Sequence, residues 1–209
     1  MGIPVEIPGL DTLIPELEEG KIVVVESGAD PAKSFFVRRM CITAMHRGWP
    51  VTFITSRDEG EVKQLFSAES PPSMEPPVEP LILERDEVND LPEFGGRGGL
   101  VAVDSFSFLT LGLDAPLLAE MMRNLRAQCR GKSTTVILGT DRGMFEPRAE
   151  AVTSHLSDGM LQFHAREGPE GLNRFLRIPK WMGGRFVDRN VYYDFDGRRL
   201  VIDLRQRVI

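Results

Sequence analysis

The chain has 209 residues, of which 42% are hydrophobic and 27% charged. That is globular composition and excludes a disordered or low-complexity protein. Twenty-five Lys and Arg stand against 31 Asp and Glu, for a formal charge of −6, which excludes a protein that coats nucleic acid over its whole surface. The charge is uneven: residues 166–209 hold ten basic and six acidic residues, a net of +4, leaving −10 on the first 165.

Cys41 and Cys129 lie in helix-like apolar stretches and give neither a disulfide framework nor metal-ligand spacing. The three histidines, His46, His155 and His164, are never three or four residues apart, which argues against zinc. No apolar run reaches the roughly 20 residues of a membrane span. The first residues lack a basic region followed by an apolar one. Glu6 stands where a myristoylation signal needs Ser or Thr. A cytoplasmic location is expected.

In chain order, KIVVVES at 21–27 is a β-branched run without alternation, as in a strand buried on both faces. A turn-rich stretch, Gly28-Ala29-Asp30-Pro31-Ala32, leads to a helix over 34–47 with Phe36, Val37, Met40, Cys41 and Ala44 on its buried face. Residues 51–55, VTFIT, form the next strand. Ser56 and Glu59 have capping-box spacing for a helix presenting Val62, Leu65 and Phe66. Strand and helix in alternation imply parallel strands with right-handed crossovers. Residues 69–80 contain five prolines and read as an exposed connection.

A short strand at 81–83 and a glycine-rich loop at 93–99 precede LVAVD at 100–104, a second buried strand that ends in an acid. Asp114-Ala115-Pro116 starts a helix with an N-cap and an early proline, and its stripe is Leu117, Leu118, Met121, Met122 and Leu125. TTVIL at 134–138 is a strand, Asp141-Arg142 a surface turn, and 147–156 a short helix. Strands follow at 159–165, 173–178, 191–194 and 200–204, with Asp196-Gly197 marking a hairpin. The expectation is one α/β domain over 1–209: a core to residue 157, then a β extension over 158–209. Trp49 reads as packed, whereas Trp181 is equally balanced between packing and exposure.

A strand, a glycine-containing loop and Lys33-Ser34 opening a helix have the layout of a phosphate-binding loop. There, backbone N–H groups and lysine hold phosphate while Ser or Thr holds magnesium. The full spacing G-x-x-x-x-G-K-[ST] is not met. Counting back from Lys33, the glycine positions are Ala32 and Ser27, and a loop counted from Gly28 is one residue short. Ala32 brings a Cβ to a close approach, Asp30 brings negative charge and Pro31 removes a donor. Asp104 ends its strand where an acid would hold Mg²⁺, directly or through water.

These phrases, in their order, resemble the KaiC-like branch of the RecA superfamily, with its archaeal RadA-related and archaellum-ATPase relatives. The resemblance covers nearly the whole chain. IPGLDTLIPELEEGKIVVVESG at 7–28 is similar to the family's opening, and RGWPVTFITSRDEGEV at 47–62 to its second strand and following helix. LVAVDSFSFL at 100–109 resembles its Walker B strand, SDG at 157–159 its hairpin start, and RIPKWMG at 177–183 its V-x-K-x-R-G segment. The resemblance implies a RecA/KaiC-like fold, a mostly parallel sheet flanked by helices with antiparallel C-terminal hairpins. It also implies a nucleotide site at Gly28, Lys33, Ser34 and Asp104, with Ser34 and Asp104 on Mg²⁺ if ATP or ADP binds. Lys180 would face a neighbouring subunit.

The departures point to lost hydrolysis. Where the family carries a V-T-F-E-E glutamate that activates water, this chain has Ile54 and Thr55, neither of which can be a base. Met182 replaces the arginine of the K-x-R-G segment. The expected function is a regulatory or assembly component without catalytic residues, in a homo-oligomer or with related RecA-fold subunits. An active ATPase with a variant loop is the second reading. A DNA-binding recombinase paralogue using arginines such as Arg198 and Arg199 is the third.

Overall fold

The computed structural model describes residues 2–70, 81–82, 85–168, 171–182 and 187–204. The chain opens with strand β1 (Ile3–Pro4), a helical turn α1 (Leu10–Leu13) and β2 (Glu16–Leu17), which pairs antiparallel with β1. Then come β3 (Ile22–Ser27), α2 (Ala32–His46), β4 (Val51–Thr55), α3 (Glu59–Glu69), β5 (Leu81–Ile82) and a 3₁₀ segment (Arg85–Asp90). α4 (Leu91–Phe94), β6 (Leu100–Val103), α5 (Phe106–Leu109), α6 (Ala115–Lys132), β7 (Thr135–Asp141) and α7 (Pro147–Leu156) follow. The chain closes with β8 (Gly159–Gly168), β9 (Gly171–Lys180), β10 (Val187–Phe195) and β11 (Leu200–Asp203).

β3 to β11 form one nine-stranded sheet in the order β11-β10-β9-β8-β3-β7-β6-β4-β5. From β8 to β5 every pairing is parallel, and from β8 to β11 every pairing is antiparallel. The expected architecture is therefore present, and β8 is the hinge strand between the two halves because it pairs with both β3 and β9. The proline-rich segment lies mostly outside the described residues, as do Gly183 and Gly184.

The central strands are buried on both faces, which is why their sequences show no alternation. Val23 and Val25 face a core with α2, α3 and the N-terminal segment, and Ile22 and Val24 face another with α4 to α7. Each such valine contributes about 1.5–3 kcal/mol of burial. β6 and β7 divide in the same way. The N-terminal segment seals the far end of the sheet: Ile202 N–H donates to the Pro8 carbonyl at 2.9 Å. A Cβ at Gly9, where φ is +81°, would lie 2.3 Å from the Ile202 carbonyl oxygen.

Three local expectations are corrected, and the open choice at Trp181 is decided. The N-cap of α3 is Asp58, which accepts from Glu61 N–H at 2.9 Å; Ser56 is not the cap. Asp114 does cap α6, accepting from Leu117 N–H at 2.9 Å, but the Leu117 side chain is 54% exposed. The buried stripe runs through Leu118, Met121, Met122, Leu125 and Cys129 instead, since a helix that lies on a sheet buries only one side. The glycine-rich 93–99 stretch begins as helix α4, because Leu91 and Phe94 are buried against α6. Trp181 is packed, 7% exposed, and a Cβ at Gly159 would sit 3.1 Å from its ring.

Two contacts fix the strands that carry the site. The Asp158 carboxylate accepts from Ile22 N–H at 3.0 Å and from Arg126 at 2.8 Å, clamping the start of β3. Gly139 lets β7 pass close to β6: a Cβ there would stand 2.6 Å from the Asp104 carbonyl oxygen. Asp158→Ala should lower stability by about 2 kcal/mol, because a buried backbone donor and an arginine lose their acceptor. Gly139→Ala should cost about 1–3 kcal/mol through overpacking. Urea unfolding midpoints at constant m-value check both.

Candidate functional site

Parallel strands deliver their carboxyl ends to one edge, and ligand sites of α/β sheets lie outside that edge. Here Ser27 ends β3, Asp104 follows β6 and Asp141 ends β7, with Ser27 in register with Asp141. The loop 28–31 and the first turn of α2 face them. Between these groups and α3 lies a cleft of about 330 Å³ whose lining includes Gly28, Lys33, Ser34, Arg57, Asp104 and Asp141. The sequence-predicted nucleotide residues Gly28, Lys33, Ser34 and Asp104 are thus brought together. Lys180 is not among them.

The loop is organised around Asp30. Its carboxylate is 2% exposed, accepts from Ala32 N–H at 2.9 Å through Oδ1, and accepts from Arg174 Nε of β9 at 2.8 Å through Oδ2. The positive end of α2 adds to its stabilisation. Ser27 Oγ donates to the carbonyls of Gly28 and Asp30, closing the turn. Tyr193 packs beside Asp30; burial first and then the Asp30 charge push its phenol pKa up. Gly28 lacks positive φ, and a Cβ there would meet nothing within 4 Å. Glycine's freedom is therefore unused in this loop.

The cations of the cleft are matched in the same way. Lys33 Nζ donates to Asp141 Oδ1 at 2.5 Å, while the other Asp141 oxygen accepts from Ser107 Oγ at 3.3 Å. Arg38 donates to Glu69 Oε1 through Nε at 3.0 Å and Nη2 at 2.5 Å, joining α2 to α3. Burial raises the Glu69 pKa against the pull of Arg38. Arg57 lies with Nε 3.4 Å from Asp104 Oδ2 and also pairs with Glu61. Asp104 Oδ1 is buried without a hydrogen-bond partner. Burial, followed by the Asp104 charge, raises the thiol pKa of Cys41, which keeps it protonated under the cleft.

This donor set does not fit a nucleotide phosphate. The N–H of Ala32 is held by Asp30, Lys33 is held by Asp141, and Pro31 offers no N–H. Nor does it fit Mg²⁺ well: Ser34 and Asp104 share the cleft, but the Arg57 guanidinium already stands as the cation beside Asp104. Among the described residues, no group of three or more His, Cys, Asp or Glu could hold a metal ion. Ile54 and Thr55 are fully buried at the end of β4, and Thr55 Oγ1 accepts from Arg57 N–H at 3.1 Å.

Lys180 donates to the carbonyls of Ser154, His155 and Ser157, at 3.1, 3.0 and 2.5 Å. It closes the C-terminus of α7, where a cation meets both orphan carbonyls and the helix dipole. Met182 is buried.

Asp141, Arg38, Arg57 and Arg174 were not among the expected site residues. Reading Asp141-Arg142 as a surface turn is corrected, since β7 extends through Asp141 into the cleft. The signal for it was present: a buried run carried past Leu138 through Gly139 and Thr140 ends at the level of Ser27. Arg142 turns away, bonding Glu26 at 2.7 Å and His164 Nδ1 at 2.9 Å.

No helix among the described residues is long and apolar enough to cross a membrane. No protein-family model matches the chain, and no curated protein matches it. Among solved structures, a KaiC-like protein from the hyperthermophilic archaeon Pyrococcus horikoshii OT3 superposes with a TM-score of 0.78, at 17% identity, over 97% of this chain and 99% of that one. The likeness is one of fold: the chain adopts the KaiC-like, RecA-type arrangement of a mostly parallel sheet between helices, closed by antiparallel C-terminal hairpins.

Proposed function

We propose that this KaiC-like-fold protein is hydrolysis-impaired and serves as a regulatory or assembly component, acting through contacts with other proteins of the same fold. One observation carries the reading: every charge converging on the cleft is matched within the chain. Asp30 has Arg174, Lys33 has Asp141, Arg38 has Glu69, and Arg57 has Asp104 and Glu61. A polyphosphate entering there must displace carboxylates from these cations, and the cost is greatest where both partners are buried, as in Arg38–Glu69; breaking a buried pair costs about 3–5 kcal/mol. The buried Ile54 and Thr55 supply no base.

The partner face is proposed from exposed apolar residues. Phe108, Leu111 and Leu117 are 43%, 39% and 54% exposed. They lie close together in sequence around α5 and the start of α6, beside a groove of about 610 Å³ lined by Leu111, Leu113, Met144 and Phe145. Large apolar side chains grouped at a rim mark contact surfaces more often than isolated ones do.

Titration calorimetry of the chain with millimolar Mg-ATP should give no binding heat. In the double variant Asp30→Gly/Asp141→Ala, the N–H of Ala32 and the ammonium of Lys33 are released, and nucleotide binding should appear. Magnesium-dependent ATP turnover by the unaltered protein that vanishes in Lys33→Ala would overturn the reading.

A further inference from the structure

The β8–β9 hairpin outruns the strand beside it. β3 ends at Ser27, in register with Phe163 of β8, whereas β8 continues to Gly168 and stays paired with β9 down to Gly168–Gly171. Residues 164–168 and 171–175 therefore form an arm beyond the last β3 partner. Two side-chain ties reach this arm from the core, one on each face. On the face that α2 covers, Asp30 accepts from Arg174 at 2.8 Å. On the other, which no core covers past Met160, Arg142 at the end of β7 meets His164. Its Nη1 lies 2.9 Å from Nδ1 and its Nη2 3.4 Å from Nε2.

Arg142 is itself anchored to the parallel core. Its Nε donates to Glu26 at 2.7 Å, and its backbone N–H donates to the Ser27 carbonyl at 2.7 Å. The His164 ring lies on Phe175, with 4.5 Å between centroids and 10° between planes. This tie needs a neutral ring. A neutral imidazole keeps a lone pair that accepts from a guanidinium, whereas an imidazolium has two donors and a charge. The neighbours reinforce the requirement. The Arg166 guanidinium stands 5.2 Å from the Phe175 centroid, and Arg177 follows Phe175 on the same face of β9. Tyr192 of β10 and Asp203 of β11 continue the row. Glu150 and His155 of α7 and Lys180 of β9 line the groove beyond it. Glu26 is held by Arg142. Burial, and then the charges of Arg142, Arg177 and Arg166, lower the His164 pKa to about 4.

We propose that His164 is an acid-sensitive latch on the β8–β9 hairpin: when its ring takes up a proton, the bond to Arg142 breaks and this face of the arm comes free of the parallel core. Arg142 keeps Glu26 and stays with the core. The charged ring turns out of the arginine cluster toward water and uncovers Phe175. Asp30 and Arg174 still hold the other face, so the arm loosens and does not detach. A lowered histidine pKa favours the latched arrangement above about pH 6.5, the ordinary histidine value. That advantage is lost as pH falls toward about 4. Across this interval the ratio of open to latched arm grows by at most about tenfold for each pH unit.

NMR of the full chain tests the latch. The His164 imidazole proton shifts should titrate well below the ordinary value of about 6.5, and Arg142→Leu should raise the midpoint by about one pH unit. Backbone heteronuclear NOEs at residues 165–168 and 172–174 should report an ordered arm at neutral pH and a mobile one at about pH 4.5, while Val24 and Val101 in the core stay ordered. His164→Asn, whose amide oxygen accepts from Arg142 at either pH, should keep the arm ordered in acid. Arg142→Leu should loosen the arm already at neutral pH, and it decides alone if His164→Asn does not fold. Four results overturn the proposal: an arm that stays ordered in acid, an equal loss of order in His164→Asn, an Arg142→Leu arm as ordered at neutral pH as the unaltered one, or a His164 midpoint that Arg142→Leu leaves unmoved.

Discussion

A buried carboxylate in the first loop governs the site. Asp30 is 2% exposed, where a carboxylate is costly without hydrogen-bond partners, and its two partners come from distant parts of the chain. Ala32 N–H belongs to the first turn of α2, and Arg174 belongs to β9. The pair therefore joins the parallel core to the antiparallel half of the sheet at the point where a phosphate loop would have to stay open. A loop that must wrap a mobile anion keeps its N–H groups free and uses glycine to let the anion approach. This loop carries its own fixed anion, and Gly28 has neither the positive φ nor the crowding that would demand glycine.

The same logic extends across the cleft. Lys33, Arg38 and Arg57 stand on α2 and on the segment entering α3, and Asp104 and Asp141 stand on strand ends. Pairing them leaves a cleft with little net charge. Electrostatic preorganisation toward phosphate needs the opposite, cations held apart from carboxylates and aimed at empty space. Asp104 Oδ1 and Glu69 Oε2 are exceptions, buried acceptors with no hydrogen-bond partner. Asp104 stands beside Arg57, whose own Nε is buried without a hydrogen bond. These unmet atoms keep polar spots in the network, and Gly139 keeps β7 close to β6 at Asp104.

The fold was legible because burial writes itself locally. Strands buried on both faces produce runs such as VVV at 23–25, and the helix starts at Asp58 and Asp114 are marked by short polar residues, though Ser56 drew the first reading away from Asp58. The site was only half legible. Lys33, Ser34 and Asp104 stand at positions that spacing and order reveal. Their partners do not, since Lys33 and Asp141 are 108 residues apart and Asp30 and Arg174 are 144 apart. Nothing in a run of sequence ties an arginine on a late strand to an aspartate in an early loop. Asp30 read as a defect facing a phosphate, whereas the fold makes it the centre of the loop. Trp181 was undecided for a related reason, because the space that buries it is the missing Cβ of Gly159.

The charge asymmetry takes a different meaning once these pairs are known. Residues 166–209 carry +4 against −10 on the first 165. Part of that basic excess is consumed within the chain: Arg174 neutralises Asp30, and Lys180 closes the α7 carbonyls. The hairpin arginines Arg198 and Arg199 donate their backbone N–H groups to Asp196, so the turn needs those positions whatever their side chains do. Among the described residues, Arg166 on β8 and Arg177 on β9 are exposed and have no ion pair, on the side of the sheet that no core covers past Met160. The same alternation that buries Phe163 and Leu176 inward has to turn His164, Arg166 and Arg177 outward. Aromatic and cationic groups then stand as neighbours by strand geometry, with the His164 ring stacked on Phe175 and the Arg166 guanidinium over the same ring.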